Sequence, residues 1–257
     1  MFSVVALEMD ITHVCNLHCD GCTHFSNYAL KGHIDPEDAR GWLNGWARRV
    51  EPDRFTILGG EPSLHPRMTE FIRMAHAAWP RARRVLVSNG FFLHRHPDLA
   101  RTLAETDTEL EISIHSNDPE YREKLNEAVH KAPPESLGIK AGFRNSVRFY
   151  RTYLGHGATM RPYDDRAPER AWAVCENKEC MTIFRGRLWK CPPLAFLKLV
   201  ADRFDLWSVP DWQPYLGYQG IGLDASDEEL EAFLGRQAEA VCAMCPATLE
   251  WKEKDKV

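Results

Sequence analysis

The 257 residues carry a net charge of −5, with 44% hydrophobic and 27% charged residues and eight cysteines. That charge offers no global attraction to nucleic acid or to an anionic membrane, and no apolar run is long enough to span a bilayer. Glu8 and Asp10 stand where a leader would be basic and then apolar, so the chain reads as cytoplasmic, where cysteines serve as ligands or catalytic thiols more often than as disulfides.

Phe2 to Thr12 is a β-branched, period-two run and predicts the first strand. Cys15-Asn16-Leu17-His18-Cys19-Asp20-Gly21-Cys22 follows directly, a C-x3-C-x2-C set. Three thiolates so spaced can hold three irons of a [4Fe–4S] cube and leave the fourth iron open to a small molecule. They could instead ligate zinc if His18 or His24 supplied a fourth donor.

Asp35 caps a helix with Pro36 at its first position, and Ala39, Trp42, Leu43, Trp46, Ala47 and Val50 recur at helical spacing, which makes both tryptophans core residues. Phe55 to Leu58 reads as a buried parallel strand ended by Gly59-Gly60-Glu61-Pro62. His65-Pro66 opens a helix carrying Met68, Phe71, Ile72, Ala75 and Trp79, stopped by Pro80. Arg81, Arg83 and Arg84 read as a solvated turn before the strand Val85 to Val87, which ends in Ser88-Asn89-Gly90. Pro97 to Glu105 is the next helix, Leu110 to Ile114 the next strand, ending in His115-Ser116, and Asp118-Pro119 caps a helix through Leu125, Ala128 and Val129. Leu137 to Phe143 and Val147 to Tyr150 are the last expected strands, and Arg161 to Asp165 reads as a linker.

Four strand-helix units in succession predict an α/β fold whose parallel sheet curls into a partial barrel, with ligand loops at the carboxyl ends of the strands. The cysteine loop, Gly59 to Glu61, Ser88-Asn89 and Ser113 to Ser116 all fall at those ends. His115 is either a hydrogen-bonded structural residue or one that faces substrate.

The remaining cysteines are Cys175, Cys180, Cys191, Cys242 and Cys245. Met181 to Phe184 and Leu188 to Lys190 flank Arg185-Gly186, a two-residue hairpin signal whose register would bring Cys180 and Cys191 near each other. Ser226-Asp227-Glu228-Glu229 is a capping box for a helix through Leu230, Phe233 and Leu234, after which the C-x2-C pair follows. Spacing alone also allows a zinc ribbon. Trp251 to Val257 reads as a frayed, charged tail.

The cysteine triplet together with Gly59-Gly60-Glu61-Pro62 resembles the radical S-adenosylmethionine (SAM) enzymes. The resemblance implies a partial (β/α)6 barrel in which Cys15, Cys19 and Cys22 hold a [4Fe–4S] cluster and SAM chelates its open iron. It further implies that Gly59, Gly60 and Glu61 bind the methionyl amino group, with Ser88 and Asn89 near the ribose and methionyl part. Ser113 and His115 complete the expected binding residues. One departure is Gly21, where many relatives place an aromatic residue beside the adenine; Phe25 or another ring would have to cover it.

Cys175-x10-Gly186-x4-Cys191 followed by one C-x2-C pair resembles the twitch extension, which implies a second, auxiliary [4Fe–4S] cluster on Cys175, Cys191, Cys242 and Cys245. Residues 1–165 are then the barrel domain and 166–257 a small twitch domain of a β-hairpin plus helix. Cys180 is left over, either as a buried hydrophobe, as a ligand in place of Cys175, or as a hydrogen-atom donor to substrate. Compact relatives of this form act on a carbinol carbon of aminoglycosides and aminocyclitols. Oxidation to a ketone and epimerisation are the two outcomes, and the fifth cysteine favours the epimerase. Modification of a ribosomal peptide and activation of a partner protein are further alternatives. The implied partners are a sugar or aminocyclitol substrate and an external one-electron reductase such as flavodoxin or ferredoxin, with no nucleic acid and no membrane.

Overall fold

The structure is a computed structural model that describes residues 1–131 and 140–253. Strands β1 (Phe2–Asp10), β2 (Val50–Leu58), β3 (Arg83–Ser88), β4 (Thr108–Ile114) and β5 (Ala141–Asn145) lie side by side in the order β5-β4-β3-β2-β1, each parallel to its neighbour. Helices α1 (Pro36–Trp46), α2 (Met68–Ala78), α3 (Leu99–Glu105) and α4 (Pro119–His130) lie between consecutive strands. This is the predicted α/β partial barrel. Asp35 accepts the Glu37 N–H at 2.8 Å and Asp118 the Tyr121 N–H at 2.9 Å, so both predicted caps are made.

Alternation along the strands divides the two faces. Leu7, Met9 and Ile11 on β1 and beyond it, with Phe55 and Ile57 on β2, pack outward against Trp46, Phe71, Ile72 and Trp79. Glu8, Arg54 and Thr56 are left to line the barrel interior. Trp46 and Trp79 are fully buried, and truncating either to Ala costs about 3–5 kcal/mol.

Beyond β5, strand β6 (Arg148–Phe149) leaves the main sheet. The chain continues through α5 (Pro168–Val174), β7 (Met181–Phe184), β8 (Arg187–Trp189), α6 (Pro192–Phe204), α7 (Gln213–Leu216), α8 (Asp227–Gly235) and β9 (Lys252–Glu253). The predicted hairpin is β7-β8, with Arg185 at φ 51° and Gly186 at φ 75° as its two left-handed turn residues. It joins the barrel sheet directly, because β7 pairs in parallel with β1 in the register Leu7 to Met181 and Glu8 to Thr182. Trp46 Nε1 donates to the Gly186 carbonyl at 3.1 Å from the other side. Ile183, Leu188, Leu230 and Phe233 share one apolar cluster with β1 and β2, while Phe25, Tyr28, Tyr153 and Met160 share another with α6 and Trp212. Both clusters draw on residues from either side of position 165.

Several local expectations differ from the structure. Val50 pairs with Phe2 as the first residue of β2 and accepts Trp79 Nε1 on its carbonyl, so the helical spacing that includes it is coincidental. Arg84 is buried, not solvated: it donates to the carbonyls of Trp79, Pro80, Ala82 and Thr106, which satisfies its guanidinium without a counter-ion. Arg81 and Arg83 are surface residues paired with Glu51 and Glu109. Residues 137–139 of the expected strand lie outside the described residues, and Arg148–Phe149 pairs not with the barrel but antiparallel with Lys252–Glu253. The start of the expected frayed tail is therefore ordered against β6, with Trp251 edge-on to Tyr150 at 5.1 Å. The expected linker is tied down as well, since Tyr163 N donates to Met244 O and Asp165 accepts the Ala247 N–H.

Candidate active site

A cavity of about 670 Å³ opens at the carboxyl ends of the parallel strands. Its walls include Cys15, Cys19, Cys22, Gly59, Gly60, Glu61, Ser88, Asn89, Ser113, His115 and Cys180, which brings together every predicted site residue except the four later cysteines.

The cysteine loop is fixed by the Gly-Gly-Glu segment. Gly60 N donates to Thr12 O at 2.7 Å and Glu61 N to Val14 O at 2.8 Å, extending the β1-β2 ladder past the ends of both strands. A Cβ on Gly59 would stand 2.5 Å from Thr12 O, and one on Gly60 2.3 Å from Val14 O. The glycines are thus required by the close approach of the cysteine loop itself. Glu61 is fully buried and accepts from Ser63 N, Ser63 Oγ, Ser88 Oγ at 2.6 Å and Asn89 N at 2.6 Å. Burial raises its carboxyl above the ordinary range and these donors pull it back. Asn89 Nδ2 in turn donates to Asn16 Oδ1 at 2.8 Å, tying the β3 loop to the cysteine loop. His115 donates its backbone N–H to the Tyr121 hydroxyl at 3.1 Å.

Cys15 Sγ accepts the Leu17 N–H at 3.4 Å, and burial followed by the neighbouring Glu61 and cysteines pushes its thiol up to about 12. A desolvated thiol of this kind ionises only beside a cation. Three cysteines on one loop at the mouth of a cavity fit the iron ligation that their spacing implies.

Gly21 stands at φ +68°, and a Cβ there would meet Phe149 Cδ2 at 2.4 Å and Tyr150 O at 2.7 Å. Phe149 therefore occupies the space beside the third cysteine, and it lines the cavity. Phe25 does not: it is buried against Tyr28 and Tyr153, in the cluster that holds α6. Arg151 Nε pairs with Asp20 Oδ1 at 2.9 Å and keeps this segment against the loop.

Of the later cysteines, Cys175 acts on Cys191 and Cys245 and also on Cys180. Cys175 caps the end of α5, Cys191 the start of α6, and Cys242 and Cys245 lie in and just after the 3-10 turn Ala240–Met244. Cys191 and Cys245 are both raised first by burial and then by Cys175 and Cys242 close by, with Cys245 acting on Cys191 as well. Cys180 is raised by burial to about 12, then by Glu8 and Cys175. The β7-β8 ladder ends at Thr182 opposite Trp189, short of both cysteines; Cys180 lines the cavity, while Cys191 feels Cys245, Cys175 and Cys242.

Glu8, Asp10 and His24 are a group that the motifs do not mark. Their ligating atoms lie within 4.8 Å of one another. Asp10 accepts from His24 Nδ1 with both oxygens, at 3.0 and 2.9 Å; burial opposes a charge on His24, but Asp10 lifts it to about 10. Glu8 accepts from Thr182 Oγ1 at 3.1 Å, and burial raises it to about 7. The signal available in the sequence is two acids two residues apart near the end of an otherwise apolar strand, which places both on the interior face.

The profile of the family described as the Radical SAM superfamily matches residues 9–165. No curated protein matches the chain by sequence. Among solved structures, BtrN in complex with AdoMet and 2-DOIA aligns over 97% of this chain and 100% of its own, at 15% identity and a TM-score of 0.51. BtrN in an open conformation aligns over 94% and 92% at 15% identity and a TM-score of 0.49. The anSMEcpe structure with bound AdoMet covers 54% of this chain and 43% of its own at 17% identity and a TM-score of 0.41.

Proposed function

The chain belongs to the radical SAM superfamily, and we propose that it takes a hydrogen atom from a carbinol carbon of a sugar or aminocyclitol-type molecule and returns one from Cys180, inverting that carbon. Membership brings SAM and a [4Fe–4S] cluster. Together, when bound, they supply the 5′-deoxyadenosyl radical that abstracts the hydrogen, chemistry that belongs to the cofactor.

The protein's share is placement. Cys15, Cys19 and Cys22 would hold the cluster and leave one iron open. Gly59, Gly60 and Glu61, with Ser88, Asn89, Ser113 and His115, would bind SAM, on a frame made rigid by the four hydrogen bonds to Glu61. Cys175, Cys191, Cys242 and Cys245 would carry an auxiliary [4Fe–4S] cluster in a unit of residues 166–257. The observation that carries the reading is the position of Cys180: of the five later cysteines it is the one among the residues that line the same cavity as the first three. BtrN, whose fold this chain shares, holds 2-DOIA together with AdoMet, and a small ligand in this cavity is part of the same proposal. A second reading, oxidation of the same carbon to a ketone, is favoured by the nearness of Cys175 to Cys180, which would put an electron acceptor beside the substrate. An external one-electron reductase and a cytoplasmic setting belong to both readings; no described helix is long and apolar enough to cross a membrane.

The test is anaerobic incubation of reconstituted protein with SAM, reductant and a panel of cyclitols, aminocyclitols and amino sugars. The expected result is 5′-deoxyadenosine that depends on one of these compounds and, in deuterium oxide, one deuterium at the inverted carbon, since a thiol exchanges with solvent. SAM cleavage that ignores every carbinol but responds to a protein partner would replace this reading with that of an activating enzyme.

A further inference from the structure

Thr182 on β7 is the Cα partner of Glu8 across the parallel β1-β7 pair, and Cys180 lies two residues before it, just ahead of the strand. Ala6 and Glu8, two apart on β1 and so on one face, line the cavity together with Cys180. Glu8 and Cys180 line the same cavity, and after burial Glu8 is the largest influence on the Cys180 thiol. Among the described residues, Thr182 Oγ1 is the hydrogen-bond donor to Glu8, and it engages one carboxyl oxygen. Asp10, by contrast, spends both oxygens on His24. A buried carboxyl with an unused oxygen, in a cavity it shares with a thiol, is a group waiting for a donor from that cavity.

Resting on the reading above, we infer that Glu8 accepts the hydroxyl hydrogen of the carbinol whose carbon faces Cys180. A carboxylate at that hydroxyl orients the carbon and feeds electron density toward it, which weakens its C–H bond to a hydrogen-atom abstractor. While Cys180 is present the proton stays on the alcohol and the carbon receives a hydrogen atom from sulfur; the thiyl radical left on Cys180 would return to thiol with one electron from the external one-electron reductase and one proton from solvent. Without the thiol, the O–H proton passes to Glu8 as the C=O bond forms. The unpaired electron leaves to a one-electron acceptor, the proposed auxiliary iron–sulfur cluster, so that radical and carboxylate become ketone and carboxylic acid. The groups facing Glu8 suit this role. Asp10 on its own strand, His24 from the cysteine loop, Arg54 from β2 and Thr182 from β7 hold it near neutrality, raised chiefly by burial.

The experiment uses the carbinol compound found to support SAM cleavage, with Glu8→Gln, Cys180→Ala and the double variant, each checked for full iron content. Cys180→Ala is expected to give ketone close to one per 5′-deoxyadenosine. The double variant should cut that ratio at least tenfold while SAM is still cleaved, and Glu8→Asp should restore part of it. Glu8→Gln alone should lower kcat for inversion and enlarge the deuterium isotope effect on hydrogen abstraction. A readout independent of turnover is the infrared difference between wild type and Glu8→Gln, where a protonated-carboxyl band should persist well above the ordinary glutamate range and shift on addition of the compound. An unchanged ketone ratio in the double variant, or a band indifferent to the compound, overturns the role of Glu8 and leaves the parent reading standing. SAM cleavage that depends on no carbinol overturns both.

Discussion

Cys15, Cys19 and Cys22 come from one loop at the end of one strand, whereas Cys175, Cys191, Cys242 and Cys245 come from a helix end, a helix start and a 3-10 turn far along the chain. The first set is placed by local means: the chain leaves β1, and two backbone hydrogen bonds from Gly60 and Glu61 pin it. The second set exists only once α5, α6 and the turn at Ala240–Met244 have packed, so the proposed auxiliary cluster there would contribute directly to folding. A site that is short in sequence can be read as a motif and replaced without unfolding its surroundings; a site spread over the chain is a product of the fold and feeds back on it.

Replacing Cys15, Cys19 and Cys22 together by Ala is expected to abolish SAM cleavage and remove about half of the bound iron while the melting temperature changes little; iron analysis and 5′-deoxyadenosine assays read both. Retained cleavage would detach the radical chemistry from this loop.

Next in size is the distributed set. Cys191→Ala or Cys245→Ala should also lose about half of the iron but, unlike the loop variant, should lower the melting temperature and soften α6. Cys180→Ala should keep the full iron content and both sets. If instead Cys175→Ala keeps two clusters and Cys180→Ala loses one, the two residues exchange roles.

A third prediction uses the charge on the cavity wall. The folded chain holds the Glu8 proton up to about pH 7, while the unfolded chain releases it around the ordinary glutamate value of 4.5. Between those values the native state binds the extra proton, so stability falls as pH rises through this window and the loss is complete above it. Glu8→Gln, which can still accept from Thr182, is therefore expected to be more stable than wild type by about 3 kcal/mol at pH 8, and by progressively less toward pH 5. Parallel melting curves that stay a fixed distance apart would contradict it.

The smallest effect tests how firmly the hairpin belongs to the barrel. Trp46→Phe removes the bond to Gly186 O together with part of a fully buried ring, at an expected cost of about 2 kcal/mol in denaturant unfolding. A null result would leave the β1-β7 pairing as the main tie.

What was legible in the sequence follows the same division. The strand-helix units, the caps at Asp35 and Asp118, the hairpin at Arg185-Gly186 and the capping box at Ser226 are short-range patterns, and each is present. Where β7 sits was not legible, because nothing local in Met181 to Phe184 says that its parallel partner is β1. The same holds for Phe149, whose place beside Gly21 depends on a close approach between segments more than a hundred residues apart. Glu8 and Asp10 are visible as acids in an apolar strand, but their meeting with His24 and Thr182 is a matter of tertiary geometry. Arg84 shows the converse error: a basic run reads as surface, yet one member is buried because carbonyl groups at the foot of the barrel need a donor.

The pairing of β6 with β9 has a consequence for traffic. Trp251 and Phe149 both line the cavity, and the ladder that holds them consists of Arg148 opposite Glu253 and Phe149 opposite Lys252, with both β9 residues exposed. Such a short, solvent-facing ladder opens at little cost while the barrel strands behind it stay closed. The β6 side of this ladder is held to the cysteine loop, with Phe149 packed on Gly21 and Arg151 paired with Asp20, so it is the β9 side, with Trp251, that can part from the cavity wall without disturbing that loop.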